Sequence, residues 1–138
     1  MGILEATKKW YKNWGNYKGI SEREEYWLGL GGAAIIMCIL YGIMRVLQTF
    51  SGDLQYLDWL RIASTTSVVV YVICAIITFF AFLCATARRL HDVNKSDWYL
   101  LVLLIPAVGE IILLVLLMGP SVINDNPYRN SETKKEAK

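Results

Sequence analysis

One histidine, three cysteines and three prolines in 138 residues leave little material for metal or redox chemistry. Cys38, Cys74 and Cys84 sit inside apolar runs and form no C-x-x-C pair, so neither a zinc knuckle nor a redox motif is supported and packing is their expected role. With no cysteine in a polar segment, the chain needs no oxidising compartment to fold. A strong charge bias is missing too. The formal net charge is only +2 and is dispersed, which excludes the basic patch that nucleic-acid binders use to neutralise several phosphates together. Apolar residues are abundant instead: 55% of the chain, too oily for an ordinary soluble domain of this size.

The apolar residues are gathered into three runs, Tyr26 to Leu47, Ile62 to Ala87 and Trp98 to Met118. These are about 22, 26 and 21 residues long, and each reaches the roughly 20 that a spanning helix needs. The first is too long and too late to be a signal-peptide core. The expectation is an all-α membrane protein with three transmembrane helices, a single domain over residues 1–125 and a polar tail over 126–138.

In the leader, Ile3, Leu4, Thr7, Trp10, Tyr11 and Trp14 recur at three- and four-residue steps, with Glu5, Lys8, Lys9, Lys12 and Asn13 on the other side. This predicts an amphipathic helix lying in the headgroup region, rings inward and lysines toward anionic lipid. The plainer alternative is the same helix packed on its own bundle. Ser21 and Glu24 have the spacing of a capping box that would start the first span. Gly29 and Ala33, and likewise Ala81 and Ala85, offer small-residue faces for close helix approach. Residues 48–61 read as a turn with a short surface segment.

Lysine and arginine placement sets the expected orientation. Lys8, Lys9, Lys12, Lys18 and Arg23 in the leader, and Arg88, Arg89 and Lys95 in the second polar stretch, put both on the cytoplasmic side. Three spans then leave the tail outside, although it carries Arg129, Lys134, Lys135 and Lys138. A bend at Pro106 and Gly109 would return the tail to the cytoplasm, but about 21 residues are too few to cross twice, and three spans remain the expectation.

Gly19 to Trp27 (GlyIleSerGluArgGluGluTyrTrp), the ArgArgLeuHisAsp element Arg88 to Asp92 with Lys95, Ser96 and Trp98 behind it, then Ile105, Pro106 and Gly109, and finally Asn126 and Tyr128, together resemble the signatures of the bacterial domain-of-unknown-function family 805. Asn94 stands where that family commonly has glycine. The resemblance covers nearly the whole chain and implies a small, multi-pass bacterial inner-membrane protein with no known cofactor and no assigned activity.

Arg23, Glu25, Arg88, Arg89, His91, Asp92 and Lys95 form the expected polar cluster on the cytoplasmic face. Its guanidinium forks suit phosphate, which points to anionic lipid headgroups as partners. The structural alternative pairs Arg88 with Asp92 along the helix and Arg23 or Arg89 with Glu24 or Glu25. His91 and Asp92 are neighbours and point about 100° apart on a helix, so they do not make an oriented acid/base pair, and no nucleophile is identifiable nearby. No metal-ligand spacing is present. We therefore expect neither catalytic nor metal residues. Glu110, ionisable and inside an apolar run, is a functional candidate by default, either as a proton or cation relay or as a carboxyl bonded to backbone freed by Pro106, to Thr78 or to Tyr71. The leading expectation is a non-enzymatic envelope protein that interacts with lipid headgroups, with itself or with a partner membrane protein. A small transporter or channel subunit using Glu110 comes second, and an enzyme acting on a lipid through His91 and Asp92 third.

Overall fold

The structure, a computed structural model, describes residues 1–53, 58–124 and 126–129. Among these the fold is helical throughout: α1 (Ile3–Lys12), α2 (Arg23–Asp53), α3 (Asp58–Asp92), a 3₁₀ segment (Asp97–Leu104) and α4 (Val108–Met118). α2 and α3 are long and apolar enough to cross a membrane. At 31 and 35 residues they run about 46 and 52 Å, well beyond a hydrocarbon core of about 30 Å. Both exceed the apolar runs that announced them. In particular α3 carries Arg88 to Asp92 in its last turns, so what reads as a polar loop is helix.

α3 stops where the backbone closes on itself. The Lys95 amide donates to Leu90 O and the Asn94 amide to His91 O, with Asn94 in the left-handed region at φ 57°, the pattern of a Schellman motif. Glycine takes that conformation freely and asparagine is the next best residue for it.

The third apolar run is not one helix. Residues 97–104 wind as a 3₁₀ helix, the chain reverses over Ile105 to Ala107, and α4 returns alongside. Pro106 and a left-handed Ala107 (φ 64°) sit at the reversal. The two limbs touch so closely that a Cβ on Gly109 would stand 1.7 Å from the Val102 carbonyl oxygen. This replaces the expected third transmembrane helix with a helical hairpin, both of whose ends lie against the end of α3: Asp97 contacts His91, and the Leu117 and Gly119 carbonyls meet Arg89.

α1 lies across α2 on the small-residue face. Thr7 fills the space at Gly32 and Trp10 the space at Gly29, while Tyr11 Oη is 3.0 Å from Thr78 Oγ1 of α3. The neighbour that the Gly29 and Ala33 face admits is thus the leader itself. Trp10, Tyr26, Ala33, Ala81, Ala85, Leu90, Leu113 and Leu117 make up the buried core, which joins all four helices at the end where α3 terminates. The expected Ser21 capping box does not form. α2 begins two residues later, the Ser21 hydroxyl is buried without a hydrogen bond, and the Ser21 amide instead donates to Arg88 O at 3.3 Å.

Candidate functional site

The last turn of α3 presents Arg89 inward, where the side chain is fully buried. Its Nε donates to Leu117 O at 3.1 Å and its Nη2 to Gly119 O at 2.6 Å, so one guanidinium holds the two carbonyls that end α4. Terminal helix carbonyls lack intrahelical partners, and a cation there also opposes the negative end of the helix dipole. Nη1 reaches Ser121 Oγ at 3.3 Å and pairs with Asp92 Oδ2. Asp92, equally buried, accepts from Ser121 Oγ on the same oxygen and from Arg129 Nη2 at 2.9 Å on the other. Two guanidinium groups and a hydroxyl therefore satisfy one carboxylate, the condition under which a buried ion pair is tolerable.

The residues after α4 complete the assembly. The Val122 amide donates to Asp92 O at 2.9 Å. Asn126, with no exposed surface, directs Nδ2 to His91 O at 2.8 Å, Val122 O at 3.2 Å and Asp92 O at 3.4 Å, and takes the Tyr128 amide on Oδ1 at 3.0 Å. The part of the expected polar tail over residues 126–129 is accordingly packed body, and residues 130–138 lie outside the described residues.

His91 is sandwiched. Its ring stacks on Tyr128 with centroids 4.0 Å apart and 10° between planes, Nδ1 faces Gly19 O at 3.3 Å, and Nε2 faces Asp97 Oδ1 at 2.6 Å. Both ring nitrogens thus face oxygen atoms, one on the linker after α1 and one at the hairpin entry. Through this one side chain the linker after α1, the hairpin entry and the tail are all tied to α3.

Three of the candidate residues share one buried cluster. Arg89, His91 and Asp92 converge, with Ser121, Asn126, Tyr128 and Arg129. Glu25 is buried on the first turn of α2 and bonds Lys9 of α1 at 2.6 Å, leaving its Oε1 without a hydrogen bond. Glu24 takes the Met1 amine at 2.9 Å, and that hydrogen bond holds the amine above its ordinary pKa of 8.0. The pairings expected from the sequence are therefore replaced. Asp92 pairs with Arg89 and Arg129 where Arg88 was expected, and the acidic first turn of α2 pairs with the leader where Arg23 or Arg89 was expected. Arg88 is buried and lends its carbonyl to Ser21; Arg23 is exposed on the rim; Lys95 lies over the Tyr99 ring at 5.8 Å, away from the buried cluster.

Glu110 stands apart. It is exposed in the first turn of α4, just past the reversal. Thr78 and Tyr71, its expected partners, are engaged elsewhere, Thr78 with Tyr11 and Met37 and Tyr71 against the Tyr41 ring at 6.0 Å. No three metal-ligating side chains gather among the described residues.

Sequence reasoning found Arg89, His91 and Asp92 but gave no role to Ser121, Gly19 or the α4 carbonyls. The Asn-x-Tyr-Arg stretch, Asn126 to Arg129, was the one available signal, since a polar motif following a helix-ending Gly-Pro has no other reason to be specific.

The chain is 29% identical over 127 residues to the inner membrane protein YhaI of Escherichia coli K12, covering 88% of this chain and 93% of the relative. It is 29% identical over 112 residues to the inner membrane protein YhaH of the same strain, covering 77% and 81%. No solved structure matches. The model of a protein family of unknown function, DUF805, matches residues 14–130, which takes in the leader end, both long helices, the hairpin and the Asn126 motif, and the chain belongs to that family.

Proposed function

We infer that the protein is a non-enzymatic inner-membrane protein whose cytoplasmic face engages anionic lipid headgroups. α2 and α3 cross the bilayer. The hairpin enters from the cytoplasmic side and returns: eight residues of 3₁₀ helix and eleven of α-helix each measure about 16 Å, half the hydrocarbon thickness. Leader, hinge and tail then share the cytoplasmic side, where all three concentrations of lysine and arginine belong. The observation that carries the reading is that the buried hinge groups spend themselves on one another. Arg89, Asp92, Asn126 and His91 are occupied in closing the fold and are not presented to a substrate. What faces outward at the same end is a basic, aromatic rim of Lys8, Lys12, Trp14, Tyr17, Lys18 and Arg23, the composition that binds anionic interfaces.

The test is thermal unfolding in nanodiscs of phosphatidylcholine with and without phosphatidylglycerol. Binding stabilises by mass action, so the anionic lipid is expected to raise the midpoint for the unaltered protein, and a Lys8→Gln, Lys12→Gln, Lys18→Gln variant is expected to lose most of that rise. An equal rise in both proteins refutes headgroup recognition by the rim.

A further inference from the structure

The α4 surface opposite the core holds one side chain that a lipid-facing surface does not accommodate. Gly109, Leu113 and Leu117 are buried, whereas Ile111, Leu114, Val115 and Met118 are about half or more exposed, and Glu110, also exposed, flanks that outward stripe one turn before Leu114. With the reversal about 16 Å deep, Glu110 lies one helical turn back from it, about 11 Å below the hydrocarbon edge. That is too deep for a short glutamate side chain to reach the headgroups. Exposing an ionisable group at such depth costs up to about 3 kcal/mol on insertion scales, and side chains of this kind face protein or a water path. No described residue of the same chain bonds it.

We propose that a second copy of this chain covers the Glu110 face of α4, with the two Glu110 carboxyls hydrogen-bonded to each other across a two-fold axis normal to the membrane. Such an axis brings identical residues together at identical depth. A carboxyl group is one of the few side chains that is its own complement, since each O–H donates to the other's carbonyl oxygen. Leu114, one turn on from Glu110, and the adjacent Ile111 pack beside the pair, and polar side chains hydrogen-bonding between helices hold membrane helices together. The proposal rests on the membrane placement of the hairpin inferred above and specifies the partner of that same element.

The experiment uses the full chain in membranes with Cys38, Cys74 and Cys84 replaced by serine. Single cysteines are placed at Glu110, at Leu114 on the same face, and at Ile73, which is exposed on α3. Oxidation is expected to give disulfide dimers at 110 and 114 and none at 73. Because Glu110→Cys removes the carboxyl, a second measurement counts subunits of the cysteine-containing protein in dilute liposomes by photobleaching. There Glu110→Gln, which keeps a donor and an acceptor, is expected to dimerise within about three-fold of the unaltered protein, and Glu110→Leu about ten-fold more weakly, a loss of about 1.4 kcal/mol. Crosslinking at 73 equal to that at 110, or dimerisation unchanged in Glu110→Leu, overturns the proposal, as does an unaltered protein that stays monomeric. Failure of the membrane placement reads differently: Ile123 would be labelled from outside the cell, whatever the crosslinks at 110.

Discussion

Replacing Arg89 by alanine removes the side chain that fastens the hairpin to α3. The unaltered guanidinium is fully buried and holds Leu117 O, Gly119 O and Asp92. Deleting one partner of a buried ion pair costs about 3–5 kcal/mol because the other charge is left uncompensated. Arg129 still reaches Asp92 at 2.9 Å, which places the expected loss near the lower end, about 3 kcal/mol. For a chain of this size each kcal/mol lowers the midpoint by about 3–4 °C, so a fall of about 10 °C is expected in thermal unfolding followed by tryptophan fluorescence in detergent. Arg61→Ala is the control. Its pair with Asp58 is 3.9 Å long between largely exposed side chains, and such pairs contribute about 0–1 kcal/mol. Arg89→Ala combined with Asp92→Ala is expected to cost less than the sum of the two single changes, since the double change strands neither of the two fully buried charges. An Arg89→Ala shift no larger than that of Arg61→Ala refutes the clamp.

Asn126→Asp is expected to destabilise more than Asn126→Ala, because Nδ2 faces three carbonyls and a carboxylate there meets acceptors only; the alanine change is expected to cost about 1–3 kcal/mol, and the same unfolding measurement gives both. Topology is checked by labelling Lys12→Cys, Lys95→Cys and Ile123→Cys, each on the cysteine-free background. All three are expected to react with a membrane-impermeant maleimide only in inverted vesicles, and labelling of Ile123→Cys in intact cells refutes the returning hairpin.

The two long helices were legible because a run of more than 20 apolar residues has few other uses, and their ends were not, because α2 and α3 continue as helix into the largely polar residues 48–53 and Arg88 to Asp92, the latter held by Ser121, Asn126 and Arg129. The third run misled for a physical reason. Length and hydropathy measure how much chain hydrocarbon can accept, and a hairpin of two short limbs presents the same total as one span. The distinguishing signals were local and weak: Pro106, Gly109 where a Cβ would strike Val102 O, and the basic residues beyond α4 that three spans would have placed outside. At the site, the sequence indicated that Arg89, His91 and Asp92 matter but not what they meet, since Ser121, Asn126 and Arg129 approach from about 30 residues away and helical spacing says nothing about such partners. The leader's amphipathic pattern pointed its rings into lipid, whereas Trp10 enters the notch at Gly29; that choice depends on the shape of α2, which the leader's own periodicity does not encode.

The clamp also imposes an order on biogenesis. Leu117, Gly119, Ser121, Asn126 and Arg129 leave the ribosome after every element they fasten, at about 5–20 residues per second. Until they emerge, the membrane insertion machinery meets residues 98–118 as one continuous apolar stretch with the length of a full crossing and no anchor at its far end. On the membrane placement proposed above, the nascent chain passes through an interval in which two topologies compete, and the residues that follow α4 select between them. A truncation or substitution in this stretch would therefore be read out in which way the protein is threaded, as well as in how firmly it is folded.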